Sequence, residues 1–199
     1  MIAIKKSEAS FRNSIIIDLV KNKKLYTIIN VLSLLLGVFF YIIFYYAAKP
    51  IVVDSAGSFF FYFKSYHDLP SGYEFLFLFL IFIMMVLHEA IHGVFFFLFT
   101  GAMPVFGFKK LMAYAGAPDW YVKKNYYIVI TMAPFVTITL LGFLLLFLIP
   151  AGLSSLVFLP TVINAAGCVG DFWYTAALLN KPKETYITDS GTVSVISFN

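Results

Sequence analysis

The sequence predicts an all-α integral membrane protein with about four transmembrane helices, both termini in the cytoplasm and a possible short β-hairpin in the inner loop. Hydrophobic residues make up 61% of the 199 positions and the mean hydropathy is +0.91. A water-soluble domain of this length could not bury so much apolar surface. Four apolar stretches are long enough to cross about 30 Å of hydrocarbon, and they span residues 25–48, 74–100, 125–149 and 153–179.

The basic residues orient these four stretches. Of the 14 lysines and arginines, only Lys49 and Lys64 fall on one side, and all others precede the first stretch, lie between the second and third, or follow the fourth. Basic residues collect on the cytoplasmic side of membrane proteins, which predicts that both termini are cytoplasmic. Basic residues that flank spans indicate a partnership with the lipid bilayer and no nucleic-acid partner.

The remaining segments complete the predicted organisation. Residues 1–24 mix charges with Ile15, Ile16 and Ile17, and we expect an interfacial helix there. Residues 25–180 form the four-span membrane domain, whose first stretch is too long for a signal peptide and reads as a retained anchor. An aromatic run at 59–63 in the outer connection is typical of an aromatic belt. The polar cytoplasmic tail, 181–199, is either a short strand or disordered.

The second stretch contains His88-Glu89-Ala90-Ile91-His92, an HExxH motif. Residues four apart share one face of a helix, so both imidazoles can bind one metal ion. Glu89 lies about 100° around the helix, where its carboxylate reaches a metal-bound water more easily than the metal. An ionised residue at the centre of a transmembrane helix costs about 3 kcal/mol, so these residues indicate function. The alternative is a polar cluster that holds helices together.

Asp171 is the candidate third ligand, because catalytic zinc usually takes three protein ligands. Asp171 and His92 are each roughly 12 Å from the cytoplasmic ends of their spans, so the side chains can meet. A dication and two ionised carboxylates, those of Glu89 and Asp171, sum to zero charge, which lowers the cost of burial. Alternatively, Asp171 is a helix-end residue near the inner interface. Cys168 is a conceivable fourth ligand, although its small neighbours favour a packing role. Asn164 could donate to a developing oxyanion, or could hold helices together.

The order of these segments resembles the site-2 protease clan of intramembrane zinc metalloproteases, and in particular a compact bacterial group of membrane zincin peptidases. The resemblance covers about residues 74–180 and rests on four segments, namely HEAIH at 88–92, Lys123-Lys124, Met132-Ala133-Pro134 and Asn164 with Gly170-Asp171. It implies a metal-binding aspartate at Asp171 and an inner loop that often forms strands. The sequence departs from the clan at Phe172, where glycine is typical, and at Ala133, where glycine is expected before Pro134.

Together these residues predict an intramembrane zinc metalloprotease in a bacterial plasma membrane. His88, His92 and Asp171 are the expected ligands of one Zn²⁺, and Glu89 is the expected general base for a zinc-activated water. The expected substrate is a membrane-spanning protein or a hydrophobic peptide. Residues 103–118 form either an ordinary inner loop or two short strands, at 105–108 and 111–115, that could pair with an extended substrate.

Two other classes of protein remain open. One is a non-catalytic membrane protein whose metal site is structural or regulatory, and a closed site with a fourth ligand such as Cys168 would indicate it. The other is a metal transporter, which needs a polar path across the whole membrane. The outer halves of the spans lack such a path, since no acidic residue lies between Glu74 and Glu89. Transport is therefore the less favoured class.

Overall fold

A computed structural model describes residues 2–18, 21–52, 61–109 and 112–199. The chain divides into two compact units. The first unit consists of Met1–Asn30, Val86–Pro134 and Gly170–Asn199, and the second consists of Val31–Met85 and Phe135–Val169. Each unit therefore draws on segments that are far apart in the sequence.

Helices occupy the segments that hydropathy predicts. In chain order they are α1 (Lys23–Ala48), α2 (Phe61–His67), α3 (Tyr73–Thr100), α4 (Lys124–Leu148), α5 (Ser155–Gly167) and α6 (Val169–Leu179). Among the described residues, four segments are long and apolar enough to cross a membrane, namely α1, α3, α4 and the run Ser155–Leu179 that contains α5 and α6. Large apolar side chains such as Leu34 and Phe75 are more than 70% exposed on these helices. Such surfaces are compatible with a membrane protein, since lipid covers them without cost.

The all-α prediction is wrong, because the chain also contains a six-stranded antiparallel sheet. Its strands are β1 (Ala3–Lys5), β2 (Asn13–Asp18), β3 (Val105–Lys109), β4 (Met112–Lys123), β5 (Thr185–Asp189) and β6 (Val193–Phe198). The strand order is β1-β4-β5-β6-β2, and β3 pairs with β4. The sheet therefore combines the N-terminal segment, the inner loop and the C-terminal tail, all within the first unit.

The N-terminal helix expected for residues 1–24 is also wrong, because this segment forms β1 and β2. The β-branched residues Ile15, Ile16 and Ile17 pack well on a pleated surface and are poorer helix formers. Their strand needs a partner, and that partner is β6, with a register from Asn13 opposite Phe198 to Asp18 opposite Val193. The tail, whose structure the sequence leaves open, forms the β5–β6 hairpin.

Three further segments differ in detail from the sequence prediction. The inner loop forms the β3–β4 hairpin, in which β4 runs on to Lys123, and residues 110 and 111 lie outside the described residues. The fourth span is interrupted at Cys168, whose N–H caps α5 by donating to Asn164 O. In the outer connection, residues 59 and 60 of the aromatic run are outside the described residues, and Tyr62 lies in α2.

Each unit has its own core. In the first unit, α3, α4 and α6 pack with the sheet through Phe96, Tyr127, Leu178, Ile187 and Ile196, which are all at most 2% exposed. This core determines how α3, α4 and α6 approach one another. In the second unit, the ring of Tyr62 stacks on Phe158 at 3.6 Å, and Ser33 Oγ donates to Ala166 O at 2.9 Å.

Candidate metal centre

The HExxH residues and Asp171 all lie in the first unit. His88 and His92 are one turn apart on α3, as their spacing predicts, and His92 is buried. Asp171 lies in the first turn of α6, where the partial positive charge of a helix N-terminus favours a carboxylate. His92 and Asp171 each lie eight residues before the end of their helix, at Thr100 and Leu179.

Three candidate ligands meet at short distances. His88 Nε2 lies 3.2 Å from His92 Nε2. Asp171 Oδ1 lies 3.3 Å from His92 Nε2, and Asp171 Oδ2 lies 3.5 Å from His88 Nε2. Around a tetrahedral zinc with bonds of about 2.0–2.1 Å, ligand atoms are separated by roughly 3.3–3.5 Å. The three side chains therefore fit a zinc ion without rearrangement of their helices, and they form a group that could hold a metal.

The orientation of the His92 ring supports this fit. His92 Nδ1 lies 2.9 Å from the carbonyl oxygen of Ile130 in α4. A carbonyl oxygen only accepts hydrogen bonds, so Nδ1 carries a proton, and Nε2 of the neutral ring directs its lone pair at His88 and Asp171. A lone pair and a carboxylate oxygen at 3.3 Å repel each other unless a proton or a cation lies between them. Two imidazoles and one carboxylate are a donor set that suits Zn²⁺.

Glu89 does not belong to this group of three. Its carboxylate accepts a hydrogen bond from the backbone N–H of Ala115 in β4. Glu89 is thus held between the metal-binding face of α3 and the β3–β4 hairpin. A carboxylate beside the metal ligands that is not itself a ligand can exchange a proton with a water.

The β3–β4 hairpin also contacts α3 at Gly93, the residue after His92. A Cβ atom at Gly93 would lie 2.4 Å from Phe106 Cζ and 3.2 Å from Pro104 Cγ, so glycine allows the hairpin to approach the helix backbone. Phe106 of β3 pairs with Ala115 of β4. One register position of the hairpin therefore touches α3 at both Gly93 and Glu89.

Asn164 and Cys168 lie in the second unit. Both are buried, and Asn164 Nδ2 lies 3.9 Å from Cys168 Sγ. Cys168 is not part of the three-residue group around the candidate metal position. The roles suggested for Asn164 at an oxyanion and for Cys168 as a fourth ligand stay predictions.

The segment that follows α6 is bonded to α4, once in the β5–β6 hairpin and once before it at Lys181. Tyr127 OH donates to Asp189, and Lys124 Nζ donates to Lys181 O at 2.6 Å. Burial raises the pKa of Asp189 above its usual value, and the hydrogen bonds from Tyr127, Gly191 and Ser194 lower it in part. On the surface, the hydrogen bond from Lys123 at 2.6 Å lowers the pKa of Glu184.

Sequence reasoning missed three residues that support the site, namely Ile130, Ala115 and Asp189. Ile130 and Ala115 act through backbone atoms, and a backbone carbonyl or N–H leaves no signal in residue type. Asp189 lies in a short polar tail for which the sequence left a strand and disorder open, and the pairing of β5 with the distant β4 has no local signal. An acidic residue two before a glycine, as in Asp189-Ser190-Gly191, is a local signal for a turn but not for a contact with α4.

Comparison with known protein families gives a match. The model of a family described as "Putative zincin peptidase" matches residues 81–186, just over half of the chain, and includes His88, Glu89, His92 and Asp171. No curated protein and no solved structure matches the chain. Because the match covers more than half of the chain, this protein belongs to that family, and the family's description supports a zinc metallopeptidase.

Proposed function

We propose that this protein is an intramembrane zinc metalloprotease that hydrolyses a peptide bond of a membrane-spanning protein or a hydrophobic peptide. The observation that carries the proposal is the triangle of His88 Nε2, His92 Nε2 and the Asp171 carboxylate, with separations of 3.2–3.5 Å. His88 and His92 lie on α3, and Asp171 lies in the run Ser155–Leu179. Both segments are long and apolar enough to cross a membrane. The zincin peptidase family supports the same chemistry.

In this proposal, His88, His92 and Asp171 hold one Zn²⁺. Zinc bound there would supply Lewis-acid activation of a water and of the scissile carbonyl. Glu89 accepts the proton of the attacking water and passes it to the leaving amine as the peptide bond breaks. Ile130 O keeps the proton of His92 on Nδ1, which leaves Nε2 available as a ligand.

The β3–β4 hairpin is the proposed substrate-binding edge. Among the described strands, β3 pairs with β4 alone, so its other edge presents backbone donors and acceptors to an extended peptide. Val105, Phe106 and Phe108 of β3 are each about half or more exposed and could contact apolar substrate side chains. A helical substrate hides its carbonyls in internal hydrogen bonds, so pairing with β3 would keep the cleaved segment unwound.

The proposed setting is the plasma membrane of a bacterium, with four spans, both termini cytoplasmic and the metal centre in the cytoplasmic half. The distribution of basic residues supports this orientation. The order of motifs supports a relationship to the site-2 protease clan. The lipid bilayer is then the main partner of the outer helix surfaces, and the sheet of the first unit lies at the cytoplasmic side.

Cleavage assays on the reconstituted protein test the proposal. Wild type, Glu89→Gln and Glu74→Gln are incubated in lipid vesicles with a panel of single-span and hydrophobic peptides, and products are identified by mass spectrometry. Glu74 is the matched control because it lies on the same helix, in the first turn and away from the site. We expect Glu89→Gln to bind zinc normally and to cleave about 10²- to 10⁴-fold more slowly, while Glu74→Gln cleaves like wild type.

Three results would contradict the proposal. Equal cleavage by Glu89→Gln and wild type would exclude the assigned base. A wild type that binds zinc stoichiometrically and cleaves none of the peptides would favour the non-catalytic class with a structural metal site. Zinc uptake into the same vesicles would instead indicate a transporter.

A further inference from the structure

We call the turn between β5 and β6, residues 189–192, the C-terminal turn. Two series of contacts lead from this turn to the metal centre. Asp189 orders the turn itself, since its Oδ1 accepts the Gly191 N–H at 2.7 Å and its carboxylate also bonds to Ser194. Gly191 has φ +89°, a conformation that favours glycine. The C-terminal turn lies just beyond residues 81–186, which match the family model.

The first set of contacts runs through α4 to His92. Tyr127 OH donates to Asp189 Oδ2, and the Tyr127 ring is buried against Phe96 of α3 with centroids 6.2 Å apart. One turn further along α4, Ile130 O accepts the Nδ1 proton of His92 at 2.9 Å. Asp189 therefore fixes the position of the first turns of α4, and this position brings Ile130 O into contact with His92.

The second set of contacts runs through β4 to Glu89. A Cβ atom at Gly191 would lie 1.9 Å from Tyr114 Cδ2, and one at Gly116 would lie 2.7 Å from Asp189 O. The C-terminal turn thus presses directly on β4 at positions 114 and 116. Ala115 lies between these two positions, and its N–H donates to the Glu89 carboxylate.

We propose that the C-terminal turn is a positioning element for the metal centre. Through Tyr127 it places the Ile130 carbonyl against His92, and through Tyr114 and Gly116 it places the Ala115 N–H against Glu89. Its effect on turnover rests on the proposed function, whereas its effects on zinc affinity and on backbone geometry do not. Tyr127 and Asp189 are positioning residues, because neither touches a candidate ligand atom in the contacts above.

The two routes have separable consequences. His92 is a candidate ligand, so a change in the α4 route alters zinc affinity. Glu89 is the candidate base, so a change in the β4 route alters turnover and the protection of the Ala115 amide while zinc affinity is kept. A role limited to general stability would change all three quantities together.

Full-length variants in detergent test the two routes separately. Tyr127→Phe removes one hydroxyl from the α4 route, and Gly191→Ala forces the turn away from Tyr114 in the β4 route. Tyr114→Leu is a second variant of the β4 route, for use if Gly191→Ala does not fold. The matched control is Glu184→Gln, which removes an exposed contact of the segment that leads into the same hairpin. Zinc affinity is measured by competition with a chelator, Ala115 by amide hydrogen exchange, and turnover with a cleaved peptide.

We expect Tyr127→Phe to weaken zinc binding roughly tenfold, within the range for residues that orient a ligand, with exchange at Ala115 unchanged. We expect Gly191→Ala and Tyr114→Leu to speed exchange at Ala115 and to lower kcat roughly tenfold, with zinc affinity unchanged. Asp189→Asn should retain most of the zinc affinity and most of the protection of the Ala115 amide, because an amide side chain can still form hydrogen bonds with Tyr127 and Gly191. The Glu184→Gln control should match wild type.

The inference is overturned if the variants behave like Glu184→Gln, or if zinc affinity and Ala115 exchange change together in every variant. These outcomes are distinct from failure of the proposed function. Separable effects on zinc affinity and exchange without any peptide cleavage would support the positioning role and reject the protease. Glu89-dependent cleavage that is unaffected by Tyr127→Phe, Gly191→Ala and Tyr114→Leu would support the protease and reject the positioning role.

Discussion

The imidazole of His92 is oriented by Ile130, whose carbonyl oxygen lies 2.9 Å from Nδ1. This contact leaves Nε2 directed at His88 and Asp171, and it links α4 to a site whose side chains come from α3 and α6. A helix that supplies no ligand thus determines which nitrogen of His92 is available to a metal.

The tautomer of His92 is the first prediction. In protein labelled with ¹⁵N-histidine and loaded with zinc, Nδ1 of His92 should carry a slowly exchanging proton and Nε2 should show the shift of a metal-bound nitrogen. His67 is the internal reference, since it is exposed in α2 and outside the metal-binding group. A proton on Nε2 of His92 in the zinc-loaded protein would exclude this arrangement.

A methyl group at Gly93 should disturb the contact between α3 and the β3–β4 hairpin. Gly93→Ala places a Cβ atom 2.4 Å from Phe106 Cζ, and such overpacking costs about 1–3 kcal/mol of unfolding free energy. Gly167→Ala is the matched control, because nothing lies within 4 Å of a Cβ atom there. Denaturant unfolding should show a lower free energy of unfolding for Gly93→Ala but not for Gly167→Ala. Adding Phe106→Ala to Gly93→Ala should make this decrease smaller. Equal stabilities of the Gly93→Ala and Gly167→Ala variants would mean that the hairpin does not pack here.

The Lys123–Glu184 pair predicts a pH dependence of stability. Lys123 lowers the pKa of Glu184 in the folded protein. The contribution of Glu184 to the free energy of unfolding is therefore present above the unfolded pKa of about 4.3, and it is lost as the pH falls through the folded pKa. The same hydrogen bond raises the pKa of Lys123. The contribution of Lys123 to stability is therefore lost as the pH rises through its folded pKa, which lies above the unfolded value of about 10.4. The difference in Tm between wild type and Glu184→Gln should be small and positive at pH 7 and should shrink as the pH falls below the unfolded pKa of about 4.3. A difference that grows on acidification would contradict the pairing.

The sheet predicts unequal effects for two isoleucines. Ile196 of β6 is 2% exposed in the core of the first unit, and Ile196→Ala should cost about 2–5 kcal/mol. Ile16 of β2 is 69% exposed, and Ile16→Ala should change stability by less than about 0.5 kcal/mol. Equal effects on denaturant unfolding would favour a helical or disordered arrangement of these two segments over the six-stranded sheet.

The sequence prediction agrees with the structure where the interactions are local in the chain. Hydropathy is a local property, so α1, α3 and α4 begin and end within a few residues of the predicted spans. Helical spacing and equal depth predicted that His88, His92 and Asp171 could meet, and their ligand atoms do lie together. Their assigned chemistry stays a prediction.

The inner-loop hairpin and a strand in the tail were among the predicted alternatives, but the six-stranded sheet was missed because the pairings β1–β4, β2–β6 and β4–β5 connect distant segments. Residues 13–18 read as part of an amphipathic helix until their partner, residues 193–198, is known. Strand pairing of this kind depends on register and tertiary contact more than on local propensity. The supporting contacts of Ile130 and Ala115 were missed for a different reason, since they use backbone atoms that every residue type shares.

The central claim is that His88, His92 and Asp171 together hold one zinc ion, and metal content tests it most directly. Zinc per polypeptide is measured in detergent-purified wild type, His92→Ala and Asp171→Ala, with Asp119→Asn as a control at an exposed aspartate of β4. We expect about one zinc in wild type and in Asp119→Asn, and a large loss in the other two variants. A folded wild type that takes up no zinc, or His92→Ala and Asp171→Ala variants that both retain it, would contradict the three-ligand site.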